Sequence, residues 1–248
     1  MTVVIQTGGE RPESDDGSFT AGGAHVSNVR VWGFNSNVPS FETSETFVDG
    51  MIDGCDFSGD VVLNTGLSAH PRVTIRNTRL RHLLATVSGV RTLRHLTVDG
   101  VNAASIQLHG TDFEDSLRDL IVRAKLRSGV TTPARLDLTY AVDAVVDVKV
   151  EAPAQHGVRL TDCSKVRLDG LVEGPESTGH DAIHVDGGER SIIRADVIPD
   201  SGGNTRSGVN IVSGDRHRIV GDLGADADYD TSAVIDGGTG TIDQSIVD

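Results

Sequence analysis

The densest group of chemistry-bearing residues in the chain is His180, His184 and Asp186. On a strand the three share one parity, opposite to Ile183, so their side chains leave the same face. Coils stacked on either side would set Arg159 below His184 and Asn210 above it. A histidine beside a carboxylate, with an arginine at its flank, can move a proton on a sugar acid. Two histidines and a carboxylate can also hold a metal ion. An outer ladder of polar side chains on a water-facing sheet would contain the same residues and do neither. No catalytic residue is therefore assigned; if the chain is an enzyme, His184, Asp186, His180 and Arg159 are its candidates.

Other polar groups carry weaker signals. Asp226-Ala227-Asp228-Tyr229-Asp230 begins like a calcium loop, but Thr231 stands where glycine is needed and Gly237 where the twelfth-position glutamate belongs. The segment reads as an acidic surface loop, with a weak surface Ca2+ at Asp226, Asp228 and Asp230 the one cofactor within reach. His25, His70, His82, His95 and His109 lie on scattered registers without ligand spacing and read as surface residues.

The elements that must position these groups are written in a repeat. An apolar residue recurs every 21–26 positions: Val31, Ile52, Ile75, Val98, Val122, Val146, Leu168, Ile193, Ile219 and Ile242. A small residue follows two places later at Gly33, Gly54, Gly100, Ala124, Gly170, Ala195 and Gly221. A period of this length means one supersecondary unit stacked on itself, each copy covering its neighbour's apolar face. Runs such as Val166-Arg167-Leu168-Asp169-Gly170-Leu171 read as strand, tight turn, strand. Val158, Ile183 and Val209, ten positions upstream of three anchors, supply a second inward position and hence a second sheet. No helical period survives. The expected fold is an all-β parallel β-helix of about ten rungs, on the order of 45–50 Å long at the usual strand spacing. Asp53, Asp99, Asp147 and Asp169 each follow an anchor by one place, where Trp32, Arg76, Arg123 and Arg194 stand on other rungs. Alternating signs up one ladder predict a salt-bridged surface and not a cation cage.

The coil is expected over residues 18–248, preceded at 1–17 by a strand near residues 2–6 and an acidic loop with Glu10, Glu13, Asp15 and Asp16. The chain stops on Ser245-Ile246-Val247-Asp248 inside a repeat, so a subunit, a loop or a partner protein is expected to cover the last rung. Cys55 and Cys163 lie five rungs apart, roughly 24 Å at ~4.8 Å per rung, too far for a disulfide.

Bulk properties narrow the function classes. The 248 residues carry a net charge of −14, with 37% hydrophobic residues, 4% aromatics and 29 glycines. That suits a narrow Val/Ile/Leu core closed by turns. Such acidity argues against nucleic acid and anionic membranes, and no apolar stretch is long enough for membrane insertion. The N-terminus lacks a basic region followed by an apolar run, so no secretory signal is expected. Few aromatics count against a long glycan cleft within one chain.

Four segments carry a family resemblance: Gln155-His156-Gly157-Val158-Arg159-Leu160, Asp181-Ala182-Ile183-His184-Val185-Asp186-Gly187-Gly188, Arg206-Ser207-Gly208-Val209-Asn210-Ile211, and Asp236-Gly237-Gly238-Thr239-Gly240-Thr241. They resemble the right-handed parallel β-helix proteins of the pectate-lyase-like superfamily, especially bacteriophage tail and prophage proteins. The likeness implies the right-handed winding; it covers residues 150–248 well and earlier coils only by period. Hydrolases of this fold use clustered aspartates, and pectin-cleaving members carry Asn-x-Asp and a paired Asp-Asp on adjacent coils; neither string occurs here. Lyases of the fold use several carboxylates around calcium with an arginine or lysine base. What the resemblance implies first is a non-catalytic structural or host-recognition part of a virus particle: a spike, fibre or decoration protein. It would be a homotrimer, located in the virion or outside the cell without a secretory signal. Other virion proteins would cover its last rung, and its ligand would be a host surface glycan. The alternative is a polysaccharide lyase or hydrolase acting on a cell-surface glycan. A scaffold or adhesin domain of a longer protein is a third possibility.

Overall fold

The computed structural model describes residues 4–6, 18–21, 29–32, 35–36, 40–43, 49–65, 72–87, 93–112, 117–127 and 132–247. Side chains are described from residue 50 onward, except 64 and 65. The expected acidic loop at residues 8–17, and His25, Gly33 and His70, lie outside these residues.

The chain winds as an all-β parallel solenoid with almost no helix, one 3-10 turn at Asp226–Asp228 being the exception among the described residues. Its first sheet has eleven strands, from Val4–Gln6 and Val29–Trp32 to Arg218–Asp222 and Ile242–Ile246. The second has ten, from Ser18–Ala21 to Ser232–Asp236. A third, narrower ladder joins Leu93–Arg94, Leu117–Arg118 and Ala141–Val142, then continues as single bridges through Ser164, Glu189, Asp215 and Thr239. The coil completes about seven turns, against the ten expected. The outermost strands are short, and the segments joining several of them lie outside the described residues.

Alternation builds the core. Strand Val145–Val150 buries every second residue (Val146, Val148, Val150), as does Ile192–Ile198 (Ile193, Ala195, Val197). Parallel pairing stacks these positions without offset. Val31, Ile52, Ile75, Val98, Val122, Val146, Leu168, Ile193 and Ile219 form one continuous file, and from Ile52 onward each is fully buried. Ile242 leaves the file. The last strand pairs one residue out of step, so Asp243 lies opposite Ile219 and Ile242 opposite Arg218, with Ile242 56% exposed. A one-residue slip turns every side chain to the other face, and Ile246, of the same parity, is exposed with it. The second sheet supplies the facing file: Val61, Leu83, Ile106, Leu136, Val158, Ile183, Val209 and Val234.

The turns differ from the sequence expectation. Gly170 sits inside strand Arg167–Glu173 and not in a tight turn; at φ 140° its missing Cβ leaves room for the Val148 carbonyl, which would stand 2.0 Å away. The sharp corners come instead just before first-sheet strands, where Asp119, Asp143, Lys165, Arg190 and Arg216 all adopt φ of 54–57°. Each donates its backbone N–H to the next coil, to Val142, Ser164, Glu189, Asp215 and Thr239 respectively, at 2.7–3.2 Å. The repeated bond offsets the strain of a left-handed conformation, roughly 1–2 kcal/mol per residue.

On the outer face of the first sheet the charge ladder forms as its alternation predicts. Arg76 pairs with Asp53 at 2.7 Å, Arg123 with Asp99 at 3.7 Å and Arg194 with Asp169 at 3.7 Å. Cys55 and Cys163 are both buried thiols not joined in a disulfide, and burial pushes the Cys163 thiol up to about 12, which keeps it inert.

Candidate functional site

The site lies on the outer face of the second sheet, across strands Ala134–Thr139, His156–Thr161, His180–Asp186 and Thr205–Ile211. The register stacks Asp137, Arg159, His184 and Asn210 directly over one another, so Arg159 and Asn210 flank His184. The carboxylate beside the histidine, however, is Asp181 and not Asp186. Asp186 is exposed and accepts a hydrogen bond from Ser213 Oγ at 2.9 Å.

Strict alternation would put Asp181 in the core with Ile183. Instead Ala182 and Ile183 both enter the core in succession. The break lies beside a β-bulge: His180 pairs with Thr205 but Asp181 with Ser207, leaving Arg206 as the extra residue. Asp181 and His184, three apart, thereby meet, with His184 Nδ1 2.8 Å from Asp181 Oδ2. A carboxylate can only accept, so Nδ1 carries the proton and donates.

Asp181 is fully buried and accepts from four side chains. Arg206 donates Nε at 2.7 Å and a second guanidinium nitrogen, Ser207 donates Oγ at 2.6 Å, Asn210 donates Nδ2 at 3.0 Å, and His184 completes the set. Burial alone would raise its pKa; the hydrogen bonds from His184, Arg206, Ser207 and Asn210 outweigh it and hold the carboxyl well below the usual carboxylate range. Asp137 repeats the device two coils earlier. Burial again opposes ionisation, and His109 (3.2 Å from Oδ2) with a two-pronged Arg159 holds the carboxyl low.

Three imidazoles gather around Asp181. The His156 ring lies 4.6 Å from that of His184, tilted by 34°, and 5.0 Å edge-on from that of His180. His156 Nδ1 accepts the Asp181 backbone N–H at 3.1 Å and stands 3.8 Å from Asp181 Oδ2. Burial, reinforced by His184, lowers the His156 pKa to about 4. The Nδ1 of His180 is buried without a hydrogen-bond partner.

In the calcium-like loop the carboxylates form no group of metal-ligand spacing. Asp226 Oδ1 accepts Ala233 N–H at 2.6 Å and Ser232 Oγ at 3.0 Å, so this carboxylate closes the loop. Tyr229 is buried, its hydroxyl donating to the Leu223 carbonyl, so loop shape follows from that anchor. Among the described residues the one group of metal-ligand spacing is His156, Asp181 and His184, and Asp228 and Asp230 belong to no such group. Sequence reasoning missed Asp181, Arg206, Ser207 and His156. The signal that could have found them is the pairing offset, which rises from 25 to 26 residues where the bulge enters.

Comparison of the chain with protein-family models, with curated proteins and with solved structures returns no match. The parallel solenoid is carried by the strand pairing and the repeat, and the fold by itself assigns no function.

Proposed function

We propose that the chain is a rigid, non-catalytic structural or host-surface-recognition component of a virus particle. The observation that carries the reading is the saturation of the carboxylates. Asp181 is sealed from solvent and engaged by four side chains, and Asp137 by two. Polysaccharide hydrolysis needs two carboxyl groups free to exchange a proton or attack a sugar, and neither of these is free. Their network instead holds adjacent coils in register around a bulge, which serves a stiff rod. The virion setting rests on the resemblance of the four sequence segments between residues 155 and 241 to phage tail and prophage β-helix proteins. That resemblance also favours a homotrimer packed around a threefold axis, with a host surface glycan as its ligand. Light scattering at micromolar concentration should give three times the chain mass, and a stable monomer would refute the assembly.

One observation favours a second reading, a polysaccharide lyase or hydrolase. His184 donates Nδ1–H to a fixed carboxylate and its Nε2 has no hydrogen-bond partner among the described residues, the arrangement of a general base. Incubation with a panel of acidic and neutral polysaccharides decides between the two. The rod releases neither reducing ends nor unsaturated sugars; release that disappears in His184→Ala would establish the enzyme.

A further inference from the structure

We infer that His156, Asp181 and His184 form a binding site for a divalent first-row transition metal ion such as Zn2+, Ni2+ or Co2+. The inference holds whether the rod is catalytic or not.

The donor set and its spacing carry it. Two imidazole nitrogens and one carboxylate oxygen lie within 4.8 Å of one another, at 2.8 Å for His184 Nδ1 to Asp181 Oδ2 and 3.8 Å for His156 Nδ1 to the same oxygen. An ion bound tetrahedrally by ligands at ~2.0–2.1 Å separates its donors by roughly 3.3 Å, a value between those two distances. Small side-chain rotations would admit it. Two nitrogens with one oxygen select zinc, nickel, cobalt or copper over calcium and magnesium, which take oxygen ligands.

The surroundings have the organisation of a metal site. The ligands come from two adjacent parallel strands, so sheet hydrogen bonds fix their spacing. Asp181 Oδ1 is held by Arg206 Nε and Ser207 Oγ, outer partners of the kind that orient a ligating carboxylate. Oδ2, in contrast, takes His184, Asn210 and Arg206 together, more donors than its lone pairs serve well. An ion would replace the His184 proton there. That proton moves to Nε2, so His184 stays neutral and offers its Nδ1 lone pair; His156 releases the Asp181 N–H and offers its own. A second observation points the same way: His180, packed edge-on against His156, keeps a buried Nδ1 with no partner, a further nitrogen beside the three. The competing Arg206 charge weakens binding relative to an open site.

The test is titration of the whole chain, stripped with EDTA, with Zn2+ by calorimetry, and with Co2+ by visible absorption. The expected result is one ion per chain with micromolar affinity, a tetrahedral Co2+ spectrum, and no competition from millimolar Ca2+. His156→Gln and His184→Gln should each weaken binding at least tenfold, whereas His95→Ala, on the far turn where His95 lies 3.9 Å from Asp119, should not. Circular dichroism checks that the variants fold. In the wild type, histidine nitrogen resonances should shift on Zn2+ addition for His156 and His184, a readout independent of any substitution. Absence of stoichiometric Zn2+ binding, or binding indifferent to both glutamine variants, overturns the site.

Discussion

Replacing Asp181 with alanine tests what holds the second sheet together. Asp181 is fully buried, and the substitution removes an acceptor that serves four side chains at once. Arg206, 32% exposed at its side chain, loses its carboxylate, and the buried Ser207 and Asn210 lose theirs. Breaking a buried ion pair from one side costs ~3–5 kcal/mol, and a stranded neutral donor ~1–3 kcal/mol. These terms overlap, and water partly rehydrates Arg206, so the expected total is about 3–5 kcal/mol. In a solenoid each coil touches only its neighbours, so the loss should be local. Amide exchange in strands His156–Thr161, His180–Asp186 and Thr205–Ile211 should accelerate by roughly two to three and a half orders of magnitude, since ~1.4 kcal/mol is a factor of ten. Strand Leu96–Ala103, several coils away, should be unchanged. Adding Arg206→Ala should recover part of the loss, because the stranded charge goes with it. A change under ~1 kcal/mol, or one spread evenly along the coil, would refute the claim that Asp181 organises the bulge.

Acid should destabilise the metal-free protein before its carboxylates titrate. His156 is held neutral down to about 4 by burial and by His184, whereas an unfolded imidazole takes its proton near ~6.5. Between those values the unfolded chain binds a proton the native one does not, so stability falls as pH drops, by on the order of 3 kcal/mol. The lowered pKa values of His82 and His217, both set mainly by burial, act in the same direction. Urea midpoints measured in EDTA should decline from pH 7 to 4.5, less steeply in His156→Gln; a flat profile contradicts the burial of His156. Asp181 adds a separate loss, as pH falls below ~3.9 toward its own depressed pKa. Among the glycines, Gly188→Ala should cost more than Gly179→Ala, although both have positive φ. A Cβ at Gly188 would sit 1.8 Å from the Cys163 carbonyl, whereas at Gly179 it meets open space. The expected losses are ~3–5 kcal/mol and ~1–2 kcal/mol, and equal melting temperatures would show that the coils are not packed so closely there.

The fold was legible because its information is periodic. Nine of the ten anchor residues stack as their spacing implies, since a parallel sheet allows one register per buried file. The exception, Ile242, lies on a strand that pairs one residue out of step with its neighbour, opposite Arg218. The corners were not legible: they fall on Asp119, Asp143, Lys165, Arg190 and Arg216, side chains that do not announce a left-handed turn as glycine does. At the site, position was legible and chemistry was not. Arg159, His184 and Asn210 stack as read, yet the acid beside His184 is Asp181 and not the expected Asp186. Parity fails where Ala182 and Ile183 turn inward together, a shift that one extra residue in the next coil permits. Period-two reasoning has no means of seeing such an insertion.

The same local logic explains why carboxylates in this coil make poor catalysts. Arg159 reaches back one coil to Asp137, and Arg206 reaches back one coil to Asp181, each gripping both oxygens. Stacking at the ~4.8 Å of strand spacing brings an arginine from the following coil within reach of a carboxylate on the one before. Where the preceding coil offers no acid the arginine turns to backbone: Arg135, 3% exposed and without an ion-pair partner among the described residues, donates to the carbonyls of Ala104 at 3.4 Å and Ala152 at 3.1 Å. An acid on this face is thus already shared with the neighbouring coil when a ligand arrives. The imidazoles are not. His184 keeps Nε2 and His180 keeps Nδ1 without a hydrogen-bond partner among the described residues, so histidine nitrogen is the polar group this face leaves unused. A transition metal ion at Asp181 Oδ2 would take the place of the His184 proton and leave the Arg206 and Ser207 bonds to Oδ1 standing, whereas a sugar would have to displace hydrogen bonds that the coil needs for its own register.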